Sequence, residues 1–201
     1  MAIKVFEALL AKAQKAGVLA QRTVDARTWL QDAASRTRVA DTTRVIQQGV
    51  ASTRTRKNVA SGQLFLFKYD AKTKDKLPYY DQFPLVFPFR RVSNGFYGIN
   101  MHYLPLNFRA ILMDSLYDNI NNDAQDETTR LRMTYSILSG AAKFRYFRPC
   151  VKYYLNSHVD SQLIYIEPKE WDVALFLPLH RFSGATATTV HRDSRKTIAG
   201  R

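Results

Sequence analysis

One cysteine, Cys150, stands in the 201 residues. No disulfide can close within such a chain, and a zinc site built on cysteines has too few ligands. Cys150 is therefore expected as a small buried apolar residue, in a helix with Val151 and Tyr154. An intracellular, reducing place of synthesis fits this cysteine count. No apolar run approaches about eighteen residues, so no segment is expected to span a bilayer. The opening stretch, MAIKVFEALLAKAQKAG, has no continuous apolar core followed by a small-residue cleavage site. It does not read as a secretory signal.

Catalytic motifs are missing as well. The four histidines, His102, His158, His180 and His191, form no HxH or HxxxH pair, and no G-x-S-x-G, Walker-type or G-x-G-x-x-G run occurs. His102 reads as a hydrogen-bonded histidine of a core or barrel rim rather than a metal ligand. Asp75, Asp81 and Asp123 read as loop residues that cap turns, with no acid/base pair among them. One weak pattern is left. Asp160, then Glu167-Pro168-Lys169 after an apolar strand, has a loose likeness to the carboxylate, carboxylate and lysine set of Mg²⁺-dependent nucleases. The spacing is short and Pro168 interrupts it, so a strand-to-helix junction is the preferred reading. The expectation is a protein without enzymatic activity, cofactor or metal.

Positive charge is abundant and unevenly spread. The chain carries 30 Lys and Arg against 17 Asp and Glu, a net charge of +13. Residues 1–60 hold eleven cations against four acids, residues 181–201 five against one, and the long middle only fourteen against twelve. A nearly neutral centre flanked by cationic ends points to a polyanionic partner, gripped through phosphates with release of counterions. The candidate nucleic-acid-binding residues follow. Arg36, Arg38, Arg44, Arg54, Arg56 and Lys57 precede the centre, and Arg192, Arg195 and Lys196 follow it. Arginine forks suit phosphate oxygens. Within the centre, Arg90 and Arg91 close a strand. There also Lys143-Phe144-Arg145-Tyr146-Phe147-Arg148 alternates cations with rings, either to stack bases or as a short strand or connector with its aromatics turned inward.

Periodicity divides the chain into a basic arm with amphipathic helices (1–60), a compact domain (61–180) and a basic tail (181–201). Val5, Leu9, Leu10 and Ala13 predict a helix over 3–16, with further helices near 25–34 and 41–49. Gln63–Tyr69 predicts a strand, as do Leu85–Phe89 and Phe96–Tyr103. Pro84 and Pro88 place the second of these at a sheet edge. Helices are expected along Phe108, Ile111, Leu112, Leu116 and Ile120, from an Asp126 cap to about Gly140, and over Pro149–His158. Ser161–Ile166 predicts a fourth strand, and Glu170–Phe176 a short helix or turn carrying Trp171. From Ser183 the chain shows almost nothing to bury. The fold class expected is α+β: a small SH3-like antiparallel β-barrel or sheet packed with helices, flanked by extended basic helical or irregular arms.

Four stretches carry a family resemblance: GQLFLFKYDAKTKDKLPYYDQFPLVFPF, GFYGINMHYLP, DETTRLRMTYSIL and CVKYYLNSHV. In this order, over roughly residues 62–178, the chain resembles the DNA end protector, or head completion, proteins of contractile-tailed phages. YYDQFPLVFPF and GINMHYLP are the most distinctive parts. The resemblance implies a non-catalytic virion protein, made in the host cytoplasm, that binds the ends of packaged DNA, shields them from host exonuclease and helps complete the head. It assigns no binding residue to the basic ends. Its partners would be phage DNA and other virion proteins of the head, neck or tail, with no membrane involved and self-association in the virion compatible. The alternative is a structural neck or baseplate subunit whose arms dock on neighbouring virion proteins.

Overall fold

Leu64-Phe65-Leu66-Phe67 and Leu85-Val86-Phe87 are runs in which every side chain is fully buried. An antiparallel strand turns successive side chains to opposite faces, so unbroken apolar runs require a sheet covered on both sides. The computed structural model, which describes Lys15 and residues 55–105, 108, 109, 112, 113, 116, 127–168, 171 and 180–200, has such a sheet. Its strands are β1 (Thr55–Arg56), β2 (Leu64–Leu66), β4 (Leu85–Val92), β5 (Gly95–Asn100), β6 (Val151–Leu155) and β7 (Leu163–Ile166). They lie in the order β1-β7-β2-β4-β5-β6, all pairs antiparallel. One face carries Leu64, Leu66, Leu85, Phe87, Ile99 and Ile164, and packs beneath the helical residues Leu112, Met113, Leu116 and Leu138. Trp171 lies fully buried on this face, its ring edge-on to Phe87 at 4.8 Å and its Nε1–H donated to the Ile166 carbonyl at 3.0 Å. The other face joins Phe65, Phe67, Val86, Phe96 and Tyr154. There Phe67 meets Tyr154 edge-on at 5.3 Å, and Phe96 stacks on the same tyrosine at 5.4 Å. Such pairs contribute about 0.5–1.5 kcal/mol each beyond their buried area.

The sheet is open, so the barrel alternative is corrected and the mixed helix-and-antiparallel-sheet alternative stands. Closing it would require β1 to pair with β6, and β1 offers only two paired residues. The edge position expected for Leu85–Phe89 is also corrected, since β4 lies between β2 and β5. Pro88, which has no N–H to donate, is tolerated because the register to β2 is formed at Leu85 and Val86, and a bulge against β5 follows between Pro88 and Arg90. Strand β5 ends at Asn100, three residues before the expected Tyr103, in a 3-10 turn over Met101–Tyr103. The helix expected over Pro149–His158 is instead strand β6 flanked by 3-10 turns at Arg145–Cys150 and Asn156–His158. Aromatic residues at Tyr153 and Tyr154 favour the pleated surface, and Tyr154 reaches the core from it. Gly95 lets these strands meet: a Cβ there would stand 2.0 Å from the Tyr154 carbonyl oxygen.

Two helices have defined bounds, α1 (Glu127–Ala141) and α2 (Ala187–Ala199). The second corrects the expectation that little after Ser183 is buried. The Thr186 side chain accepts from the Thr189 N–H at 3.3 Å and caps α2, and Val190, Ser194 and Ile198 form its buried stripe at every fourth position. A second small sheet, β3 (Tyr80–Asp81) with β8 (Phe182–Ser183), leads the chain into α2. Gly184, at φ +83°, turns it there, 2.6 Å from the Pro78 carbonyl at its Cβ position. The helices expected over 25–34 and 41–49 lie outside the described residues. So does the helix expected over 3–16, except Lys15, which is helical.

Candidate nucleic-acid interface

Strand β1 and the end of β4 bring together cations that are distant in sequence. Arg56, Lys57 and Arg91 line a cleft of about 780 Å³, with Asn58, Ser93, Asn156, Ser161 and Gln162 among its polar walls. All three cations are exposed, and among the described residues no acid contributes to the wall. Arg56 is steadied from behind, its guanidinium 5.3 Å from the centre of the Tyr165 ring. A second cleft of about 540 Å³ shares Val159 with the first and is lined by Lys68, His158, Asp160 and Arg181. Its acids are engaged: Asp160 pairs with Lys68, and Asp70 pairs with Lys74 at 2.9 Å. A third pocket, of about 330 Å³, shares Tyr69 and Tyr80 with the second and contains Lys72 and Lys152.

The remaining candidates occupy other surfaces. Arg90 lies over the Tyr97 ring at 4.2 Å, and Tyr97 meets Tyr153 at 5.0 Å. Arg192, Arg195 and Lys196 are exposed on α2, opposite its buried stripe. Lys143, Arg145 and Arg148 are exposed around the 3-10 turn against which α2 packs, and the Arg145 guanidinium stands 3.3 Å from the Cβ position of Gly200, just past the end of α2. A cation there suits the negative end of the helix dipole. For 143–148 the strand is replaced by that turn, and the connector reading holds in part, since the turn buries Phe147 but leaves Phe144 60% exposed. Arg36, Arg38, Arg44 and Arg54 lie outside the described residues, as does Lys169. Among the described residues, no group of three His, Cys, Asp or Glu is placed to hold a metal ion.

Behind these surfaces lies a buried polar cluster that corrects the loop reading of Asp81. Asp81 is 3% exposed and accepts from His102 Nδ1 at 2.8 Å, Asn100 Nδ2 at 3.1 Å, the Phe83 N–H at 3.1 Å and the Arg181 N–H at 3.3 Å. Burial alone would raise its carboxyl, but His102 and the donated hydrogen bonds outweigh burial and hold it below the ordinary carboxylate range. His102 is the hydrogen-bonded core histidine expected. Burial, opposed by Asp81 and reinforced by Arg109, pushes it below the usual histidine range. The buried Arg109 donates to the Leu104 and His102 carbonyls at 2.7 and 3.3 Å, and His191 on α2 donates to the His102 carbonyl at 2.9 Å. His180 completes the group, its ring 5.6 Å from that of His102. Cys150 is fully buried as expected, and burial raises its thiol far above the ordinary range.

This cluster makes the fold acid-sensitive. Burial, with His102 and Arg109 adding to it, lowers His180 to about 3. An unfolded chain protonates this histidine near pH 6.5, whereas the folded chain resists down to about pH 3, so stability is full above pH 6.5 and is lost as the pH falls. His180 alone should cost about 2 kcal/mol by about pH 5, and the lowered His102 and His191 act in the same direction. Urea unfolding at about pH 7.5 and pH 5 measures this. Equal stabilities at the two values would refute neutral burial of the three rings.

The sequence model of one protein family, described as Phage T4 terminal DNA protecting protein, matches residues 12–193. No curated protein and no solved structure matches the chain.

Proposed function

The chain belongs to the phage T4 terminal DNA protecting protein family, and from that premise we propose that it binds the ends of packaged phage DNA and shields them from exonuclease, without catalysing a reaction. The family match bears out the resemblance carried by residues 62–178 and extends beyond it at both ends. The observation that carries the reading to particular residues is the convergence of Arg56, Lys57 and Arg91 on one cleft. Phosphates entering it displace condensed counterions, which supplies affinity without reading sequence. The exposed row Arg192, Arg195 and Lys196, Arg145 with its neighbours Lys143 and Arg148, and Arg90 extend the basic surface over the body. In this proposal the upstream residues Arg36, Arg38, Arg44 and Arg54 add further phosphate contacts. Protection needs no bond chemistry, because a body seated on a terminus denies a nuclease the same terminus. Help in completing the head follows from holding DNA ends inside the virion.

Digestion of linear duplex by an exonuclease that starts at ends tests this. The full chain should slow digestion in proportion to occupancy, and closed circular duplex should compete poorly. Unchanged digestion at saturating protein, or equal competition by closed circles, would overturn the reading. A second role, docking on neighbouring head, neck or baseplate proteins, is favoured by exposed apolar side chains. Met133 and Tyr135 on α1 and Phe144 beside it are 40%, 45% and 60% exposed. A virion reconstruction that places these three against protein supports that role, and one that leaves them in solvent removes it.

A further inference from the structure

Six tyrosines, Tyr69, Tyr79, Tyr80, Tyr103, Tyr153 and Tyr154, wall the pocket of about 330 Å³ that adjoins the basic clefts. Tyr69, Tyr103 and Tyr154 are buried and form its inner surface, whereas Tyr153 is 38% exposed at its mouth. The rings are held firmly. Tyr69 meets Tyr154 edge-on at 4.9 Å, the Tyr154 hydroxyl accepts from Asn100 at 3.0 Å, and the Tyr153 hydroxyl donates to Asn94 at 2.5 Å. The volume is at the lower end for small-molecule sites, roughly 300–1,000 Å³, enough for a single planar group with its substituents.

Lys152 gives the pocket a sign. Its ammonium stands 4.0 Å from the centre of the Tyr103 ring and has no carboxylate or carbonyl partner among the described residues. A half-buried cation met only by a ring face is underpaired, and an arriving anion would be favoured there. Lys72 is exposed at the same pocket. The acid in the wall, Asp81, already accepts four hydrogen bonds. Aromatic faces beside unpaired ammonium groups match a flat ring carrying a phosphate.

We infer that the tyrosine pocket receives the unstacked terminal nucleotide of a DNA strand, with its base against the rings and its phosphate on Lys152 and Lys72. The inference rests on the end-binding reading above and adds the means by which an end is told from the interior of a duplex. The terminal base is stacked on one side only, so drawing it out costs less than flipping an internal base. The shared walls of the three clefts allow the strand behind it to run past Lys68 and Arg181 towards Arg56, Lys57 and Arg91.

Photo-crosslinking tests the inference on the full chain. Linear duplex carrying 5-iodouracil at the terminal nucleotide should crosslink to Tyr153, Tyr79 or Tyr80, and duplex carrying it at about the tenth position should not. Lys152→Met and Tyr153→Ala should each reduce the preference for linear over closed duplex about tenfold, while affinity for closed duplex stays unchanged. Tyr153→Phe, which keeps the ring and loses only the Asn94 contact, should retain the preference and so control for misfolding. Terminal crosslinks that map outside the pocket, with the preference intact in Lys152→Met, overturn the pocket assignment and leave end binding standing. Absence of any end preference in the unaltered chain would instead remove the end-binding reading itself.

Discussion

Replacing Arg56, Lys57 and Arg91 together by glutamine is expected to lower affinity for linear duplex about a hundredfold at about 0.15 M salt, and to flatten the salt dependence. Each phosphate contact releases close to one counterion, so loss of three contacts should make the slope of log affinity against log salt shallower by about 2.7. The affinity change corresponds to about 1 kcal/mol for each contact. The fold should tolerate the change, because all three side chains are exposed, even though Arg56 meets the Tyr165 ring and donates to the Thr55 carbonyl at 3.0 Å. Glutamine retains most of the aliphatic stem, which limits the loss to charge. Filter binding or fluorescence anisotropy across a salt series gives both quantities. A variant with the original slope would show that phosphates bypass this cleft. The same substitutions should leave urea stability within about 0.5 kcal/mol, which separates loss of binding from loss of structure.

Asp81→Ala should destabilise the protein by about 4 kcal/mol, because it removes the buried acceptor of four hydrogen bonds. The substitution leaves four donors without their acceptor: His102 Nδ1, Asn100 Nδ2 and the backbone N–H groups of Phe83 and Arg181. Each orphaned donor forfeits its hydration as well as its bond. Because Asp81 also lies in β3 opposite Phe182 of β8, the damage should spread to the approach to α2. Asp81→Asn keeps one acceptor oxygen and should cost roughly half as much. The coupling is testable by a cycle with His102→Ala, in which the double variant should be clearly more stable than additivity predicts. A loss below about 1 kcal/mol in Asp81→Ala would show that the cluster is not a structural keystone.

The reasons some elements were legible and others were not are physical. Gln63–Tyr69 and the Phe96 region announce themselves through aromatic and β-branched side chains, and β2 and β5 lie there. The Asp126–Gly140 expectation meets α1, although its Thr134, Leu138 and Ala141 are buried and Met133 and Tyr135 face solvent. Strand β6 was hidden because Val151 to Leu155 also fits one turn of helical spacing, and a five-residue run cannot separate the two periods. Helix α2 was hidden for a different reason. Only Val190 and Ile198 of its buried stripe are apolar, and Ser194 between them looks like surface. The proline rule misplaced β4 because it takes no account of a bulge. Of the candidate interface, charge counting found Arg56, Lys57 and Arg91 separately, but their convergence depends on β1 and the end of β4 flanking one cleft. Asp81 and His102 are 21 residues apart, a separation that carries no local signal. Lys152 likewise reads as one lysine of an expected helix until Tyr103 is found beneath it.

Strand β1 forms part of the cleft wall, and it is also where the upstream basic residues join the described body. A covalent tether of known length therefore begins at the rim. Arg54 is the immediate neighbour of Thr55, and Arg44 is eleven residues away, so even a fully stretched backbone keeps Arg44 within about 40 Å of the cleft. In the proposed function, once three cations hold a polyanion the upstream arginines would meet it as an intramolecular event. Residence time on a terminus would then grow by avidity, and severing the backbone just ahead of β1 would shorten it without altering a single contact in the cleft.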